Sequence, residues 1–322
     1  MSGKLIISLD YELMWGVCEK RTIHSYGSSV EIVPEIINRT LDLFNKYRIH
    51  ATWATVGFLL NESKEAFERN RLEIIPEYQN IKLSSYNYFD LNNELIGDTQ
   101  IDDPLHWGSL SIKNILNNRH QELASHTYSH FFCLEKGPTL SQFNQDMFKM
   151  NEVSRILKRE LFSIVFPRNQ YSGRHLDICK KNGIVCYRGT QDSFIWRNGS
   201  RKNLKFIIRV FRFLDSYLPL SGHNCFNIVR EDKLLNIKAS FFFRPYNRKF
   251  RIFEFLKMYR LKKAMKYAAV NSKCIHLWWH PHNFGSEINE NFKQLQVILA
   301  YYKELSEKYG MESINMLEAA KE

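Results

Sequence analysis

Lys4-Leu5-Ile6-Ile7-Ser8-Leu9-Asp10-Tyr11-Glu12 places an apolar run directly ahead of two acids near the start of a 322-residue chain. Residues 4–9 read as a buried strand. On a strand, residues i and i+2 face the same way, so Asp10 and Glu12 point to one side. Two carboxylates held together are costly unless a cation or a shared proton compensates them. In a parallel barrel, the C-terminal ends of the strands are where active sites sit. A pair of solvated loop acids, or a helix cap, would look the same in this stretch taken alone.

Outward from it, short apolar runs alternate with longer helical patterns. Strands are expected at 50–56, 122–125, 163–166, 184–187 and 274–278, and helices at 30–47, 140–159, 174–182 and 289–309. Such alternation predicts a parallel sheet with helical crossovers. The length holds about seven or eight such units, which suits an irregular (β/α) barrel; a doubly wound open sheet is the alternative. Two stretches break the rhythm. Residues 71–110 are polar and turn-rich, and residues 197–270 are rich in Lys, Arg and aromatics. They read as insertions in a single domain spanning 1–322.

With 44% hydrophobic residues, the chain can fill one large core or at most two smaller ones. A net charge of +11 suits nucleic acid, an anionic membrane surface, or a phosphorylated or acidic substrate. No nucleic-acid-binding signature accompanies it, so nucleic acid is set aside. The six cysteines are scattered with no Cys-x-x-Cys pair, as expected of reduced thiols. No stretch has the h-region of a signal peptide or the roughly 18 apolar residues of a membrane span. A cytoplasmic protein is expected, at most peripheral to the membrane.

Three further motifs follow expected strands. Ser125-His126-Thr127-Tyr128-Ser129-His130 carries two histidines at i and i+4, which share one face of a helical turn and can bind one metal ion. Glu12 or Asp10 offers the third ligand, leaving a position open for water as catalytic zinc sites do. Phe166-Pro167-Arg168-Asn169-Gln170 supplies an arginine that could orient Asp10 through a bidentate pair, or could be an ordinary surface residue. His276-Leu277-Trp278-Trp279-His280-Pro281-His282-Asn283-Phe284-Gly285 gathers three imidazoles, one of them a candidate general acid, and tryptophans able to stack on a sugar ring. Residues 244–266 place Arg244, Arg248, Lys249, Arg251, Lys257, Arg260, Lys262, Lys263 and Lys266 among apolar side chains. That stretch is either a basic amphipathic helix for anionic lipid or phosphate, or a solvated helix face on a barrel exterior.

These motifs, in this order, resemble the polysaccharide deacetylase family (carbohydrate esterase family 4, NodB homology). The likeness is strongest to a bacterial surface-glycan branch with Asp-x-Glu-x-x-Trp-Gly, here Asp10 to Gly16, and His-Pro-His-Asn-Phe-Gly, here His280 to Gly285. The resemblance implies a distorted (β/α)7 TIM-like barrel and one divalent metal, zinc before cobalt or nickel. It implies Asp10 as catalytic base, Glu12, His126 and His130 as metal ligands, Arg168 paired with Asp10, and His280 as general acid, with His276 and His282 competing. Substrate contacts are expected from Trp15, His106, Trp107, Tyr171, Trp279 and His282, and an oxyanion donor from a backbone N–H near Tyr171. The family's usual second Asp is Tyr11 here; Glu12 fits relatives that place the metal-binding acid two residues after the base. The implied activity is removal of an acetyl group from a sugar that is nucleotide- or lipid-diphosphate-linked, in O-antigen or capsule biosynthesis. An amidase acting on a small or cyclic amide, and an inactive glycan-binding relative, are the alternatives.

Overall fold

Along β1 (Lys4–Tyr11), alternate residues are committed to different cores. Leu5, Ile7, Leu9 and Tyr11 pack outward under the helices, while Ile6 points inward with Ala54, Ala124, Val165, Cys186 and Ile237. A computed structural model describes residues 2–191, 193, 205–229 and 234–322. The other strands are β2 (Ala51–Thr55), β3 (Gln121–Ser125), β4 (Ser163–Ile164), β5 (Cys186–Tyr187), β6 (Leu235–Asn236), β7 (Phe241–Phe242), β8 (Cys274–Trp279) and β9 (Glu312–Ile314). Their order is β6-β5-β4-β3-β2-β1-β8-β7, with every pairing parallel. β9 pairs with the first residues of β1, ahead of the stretch that β2 takes over.

The two ends of that order meet in one stretch of chain. Ile237 N–H donates to the Tyr187 carbonyl (2.9 Å) and Ala239 N–H to Gly189 (2.9 Å) on the β5 side. Ser240 N–H then donates to His276 (2.8 Å) and Phe243 N–H to Trp278 (2.8 Å) on the β8 side. β6 and β7 are therefore one interrupted strand, and the ring closes with seven positions: β1 to β5, the β6–β7 strand, and β8. This is a distorted (β/α)7 barrel, not an open doubly wound sheet. Residues 197–204 and 230–233 of the stretch 197–270, expected as an insertion, lie outside the described residues; within that stretch, residues 235–243 supply this closing strand. Its Phe-rich sequence lies so close to basic residues that no clean strand alternation shows.

The expected helix at 30–47 is two helices, Ile23–Glu31 and Val33–Tyr47, broken at Ile32. Pro34 lies in the first turn of the second and has no N–H to continue the first. The second helix buries Val33, Ile36, Ile37, Thr40, Leu41 and Phe44, one stripe at helical spacing. Residues 71–110 carry the helix Ser85–Asn92 and build an aromatic layer beside the barrel with Phe58 and Phe67. At the N-terminal end of the ring, the helix Met316–Lys321 acts as a plug. Met316 N–H reaches Thr52 Oγ1 (2.9 Å) and Leu317 N–H reaches Glu122 Oε2 (3.0 Å). At the C-terminal end no such helix covers the strand ends among the described residues, and they open into a cleft.

Candidate active site

Inward parity continues from Ile6 through Ser8 to Asp10, and Glu12 lies just past the strand on the same side. Both carboxylates are buried and line a cleft of about 340 Å³ at the C-terminal end of the barrel. The chain after Glu12 turns through the short 3-10 segment Leu13–Gly16, which brings Gly16 against the Glu12 side chain. A Cβ at position 16 would overlap the Glu12 carboxyl group. The glycine of the Asp10-to-Gly16 motif therefore makes room for this carboxylate.

Glu12 Oε2 lies 3.3 Å from His126 Nε2 and 3.2 Å from His130 Nε2. Ligands about 2.1 Å from a tetrahedral ion are about 3.4 Å apart, so the three groups fit one zinc-like cation. His126 Nδ1 lies 2.8 Å from the Val165 carbonyl, an arrangement that puts the proton on Nδ1 and leaves Nε2 free to ligate. The two histidines do not sit on a helical turn, as their spacing suggests. They stand on a loop with Thr127 (φ 63°) and His130 (φ 57°) in the left-handed region. Buried Asp146, from the helix Leu140–Ile156, holds that loop by accepting from Tyr128 N–H (2.7 Å), Ser129 N–H (3.0 Å) and the Ser129 hydroxyl. Burial pushes the Asp146 carboxyl up to about 6, against those hydrogen bonds. Nothing in the local sequence pattern marks this residue, which is far from the motif along the chain.

Asp10 is paired with an arginine, but not with Arg168. Arg188 Nη1 and Nη2 donate to Asp10 Oδ1 and Oδ2, both at 2.7 Å, and Nη1 also reaches Ser8 Oγ at 2.9 Å. Arg188 is only 1% exposed and lies against the Trp278 ring at 4.4 Å. Burial by itself would raise Asp10; the Arg188 guanidinium, with His126 and His280, outweighs it and holds the carboxyl below its ordinary range. Glu12 is likewise held well below its ordinary value, burial being overcome by His280, His126 and His130. Arg168 instead follows a left-handed turn (φ 54°) across the cleft mouth, where it pairs with Glu19 and with Glu135 (2.9 Å). The signal for Arg188 was its place two residues after inward-facing Cys186, an arginine at a strand's C-terminal end.

The late motif divides by strand parity. His276 and Trp278 face inward and Trp279 faces outward, buried and stacked on Phe284 with centroids 5.8 Å apart. His276 lies deep, with Nε2 2.8 Å from Ser8 Oγ; burial and the nearby Arg188 push it down to about 3. Buried His282 is pushed down to about 3 by burial and by neighbouring His280. His280 is half-open to the cleft. Its Nε2 lies 3.8 Å from Asp10 Oδ2 and 3.5 Å from Glu12 Oε1, and Nδ1 lies 3.1 Å from Asn283 Oδ1.

Of the expected substrate contacts, His282 lines the cleft and the others do not. Trp15 is buried in the aromatic layer, its indole N–H donating to the His106 carbonyl (2.7 Å). His106 is held between Asp103 (2.7 Å) and the Tyr88 hydroxyl (3.0 Å), and Trp107 donates to the Gly97 carbonyl (2.7 Å). Trp279 belongs to the outer core, and Tyr171 packs against Phe166 and Tyr187. These rings were expected in the cleft because they flank the motifs, but tight packing of large apolar rings decided their side. The cleft walls are Trp278, Phe242, Phe166 and Tyr26, with Arg21 and Arg168 on the rim. Near Tyr171, the N–H groups of Asn169 and Gln170 are engaged with the Phe166 and Pro167 carbonyls (2.8 and 3.1 Å).

A second His-His-Glu group, His50, His120 and Glu318, lies at the plugged end. Its ligand atoms lie within 4.8 Å of one another, but the two imidazoles stack face to face at 3.9 Å with planes 7° apart, so their in-plane lone pairs run in parallel planes.

No protein-family model matches the sequence, and no curated protein matches it. Solved structures do match in fold. A Mycobacterium smegmatis structure assigned as a polysaccharide deacetylase aligns over 99% of this chain and 90% of its own, at 10% identity and TM-score 0.57. One from Pseudomonas aeruginosa, assigned likewise, aligns over 99% and 89% at 12% identity and TM-score 0.54. An allantoinase aligns over 99% and 89% at 13% identity and TM-score 0.54. With its closed seven-position ring and its cleft at the C-terminal strand ends, this chain has the barrel fold of the polysaccharide deacetylases.

Proposed function

We propose that the protein is a metal-dependent hydrolase that removes an acetyl group from an acetylated amino sugar. The observation that carries this reading is the convergence, in one cleft, of Glu12, His126 and His130 with the Asp10–Arg188 pair and His280. Glu12, His126 and His130 would hold a divalent ion, zinc before cobalt or nickel. Such an ion polarises an acyl carbonyl and makes water more acidic.

The chain's own groups supply the proton transfers. Asp10 stays ionised because Arg188 holds both of its oxygens, and each oxygen keeps a lone pair able to accept a proton from water. Ser8 and Trp278 fix the guanidinium, so the base does not swing. His280 presents Nε2 to the cleft while Asn283 accepts from Nδ1–H. As an imidazolium it delivers a proton from Nε2 to the departing amine. His276 and His282, both buried and held neutral, are less suited to that step. Trp278 and Phe242 offer aromatic faces to a sugar ring. Arg21 on the rim suits a phosphate-bearing carrier, a nucleotide or a lipid diphosphate, in bacterial surface-polysaccharide biosynthesis. No helix among the described residues is long and apolar enough to cross a membrane, and we place the reaction in the cytoplasm.

The test is acetate release from N- and O-acetylated sugar nucleotides by metal-loaded protein, alongside metal content by mass spectrometry. About one ion per chain, lost in His126→Ala/His130→Ala, and acetate release lost in Asp10→Asn, are expected. Turnover of a cyclic amide but of no acetylated sugar would move the assignment to an amidase. A wild type that takes up no metal would leave a glycan-binding protein.

A further inference from the structure

Next to the cleft lies a surface that combines exposed apolar and basic side chains. It is formed by the end of the helix Lys205–Leu214 and the turn leading into the helix Glu254–Val270. Ring contacts join the two: Phe213 lies 5.0 Å from Phe250 and 5.3 Å from Tyr217. Around that junction Phe211, Leu214, Ile252, Phe253 and Phe255 are exposed, Ile252 at 71% and Phe255 at 65%. Large apolar side chains this open are seldom clustered on a surface that meets only water.

The charges of this region are sorted. Lys249, Arg251, Lys263 and Lys266 are exposed. Residues 205–229 and 234–273 contain two acids, Asp215 and Glu254, and both are buried. Asp215 is bound by Arg260 (3.0 Å) and Glu254 by Lys257 (2.5 Å). Lys257 and Arg260, expected from the sequence on the basic face, are internal braces instead. Among the described residues of these two stretches, what remains outside is basic and apolar; Arg248 in the same turn is paired with Glu287 (3.0 Å), a residue from beyond them. Like charge opposes pairing with a second copy, whereas a lipid headgroup layer satisfies both features, acyl chains taking the rings and phosphates the cations.

The surface is continuous with the cleft. Arg244 stands over Phe213 (5.5 Å) and Phe242 (5.9 Å), and Phe242 lines the cleft, 4.7 Å from the Trp278 ring. We propose that this face docks the protein on an anionic lipid bilayer, setting the cleft mouth beside the membrane surface. Delivery of a lipid-carried substrate to the cleft rests on the hydrolase reading; the docking itself does not.

The experiment is co-sedimentation of the full chain with vesicles of phosphatidylcholine alone or with added phosphatidylglycerol, at low and high salt. Selective binding to the phosphatidylglycerol vesicles, weakened by salt, is expected. Each basic residue at the surface is worth roughly a fivefold change in partitioning, so Lys249→Gln/Arg251→Gln should lose roughly twenty-fivefold. Phe253→Ser/Phe255→Ser should lose more than about tenfold. Unchanged circular dichroism and metal content show that both variants fold. The proposal is overturned by an absence of binding to anionic vesicles. It is equally overturned if the phenylalanine variant binds like wild type, since net charge alone would then explain adsorption. Self-association abolished by the same phenylalanine substitutions would reassign the face to a second copy. An acetylated-sugar assay that fails while vesicle binding persists removes the hydrolase reading and leaves docking intact.

Discussion

Gly16→Ala should empty the proposed metal centre while leaving the fold intact. Gly16 ends a 3-10 segment and does not adopt positive φ, so its backbone tolerates an alanine. Relief of unfolded-state entropy would even favour the folded variant by about 0.4–1 kcal/mol. The added methyl group, however, would overlap the Glu12 carboxyl carbon and both oxygens. An ordinary carbon–carbon separation of about 3.5 Å is regained only if the carboxylate retreats by more than ~1 Å. Metal–ligand distances tolerate about 0.2 Å, so the displaced Glu12 stops being a ligand. Disturbing a supporting partner of a ligand costs about 10- to 100-fold in metal affinity; loss of one ligand of three should exceed ~100-fold. Zinc titration calorimetry of the apo protein measures this, with thermal melting of the same sample as the control for folding. If Gly16→Ala bound zinc as tightly as wild type, Glu12 would not be a ligand in the place the geometry gives it.

Other outcomes test the remaining parts of the site. Arg188→Met leaves Asp10 buried without its cation, a cost of about 3–5 kcal/mol near neutral pH. In the wild type the depressed Asp10 pKa contributes stability above its unfolded value near about 4, lost as pH falls through the folded value. In the variant burial dominates and raises the group, so urea melts should show the deficit shrinking toward acid, and the acid limb of turnover should move to higher pH. Arg168→Ala should leave that limb in place, because Arg168 pairs with Glu19 and Glu135 and not with Asp10; a shifted limb would return Arg168 to Asp10. Trp278→Ala should raise KM and, by uncovering Arg188, lower turnover, whereas Trp279→Ala should chiefly cost about 3–5 kcal/mol in denaturant melts. Asp146→Ala removes the acceptor that holds the histidine loop, and should lower both zinc affinity and melting temperature; unchanged zinc affinity would show that the loop holds its shape unaided.

The candidate ligand set was legible because it is written in local patterns. Strand parity puts Asp10 and Glu12 on one side, and His126 and His130 stand at ligand spacing directly after another strand. The same rule applied strictly to 276–280 separates Trp278 from Trp279, but two adjacent tryptophans offer equal aromatic surface and their side is fixed by which core they fill. Strand–helix alternation likewise indicates a parallel barrel. Its closure was not visible, since β6 and β7 are two residues each and owe their strand geometry to neighbours on either side.

By itself the sequence determined the parallel architecture, the inward acids, the histidine pair and the imidazole cluster in and just after β8, because each follows from side-chain periodicity or spacing within one short stretch. Only the tertiary structure decided that Arg188 rather than Arg168 holds Asp10. It also placed Trp15, His106 and Trp107 in a core, set Asp146 to shape the metal loop, and buried Lys257 and Arg260 while leaving Phe253 and Phe255 exposed. Those outcomes depend on pairings between residues distant in the chain. A charged or aromatic side chain takes whichever partner the assembled ring brings within reach, and local periodicity carries no record of that partner.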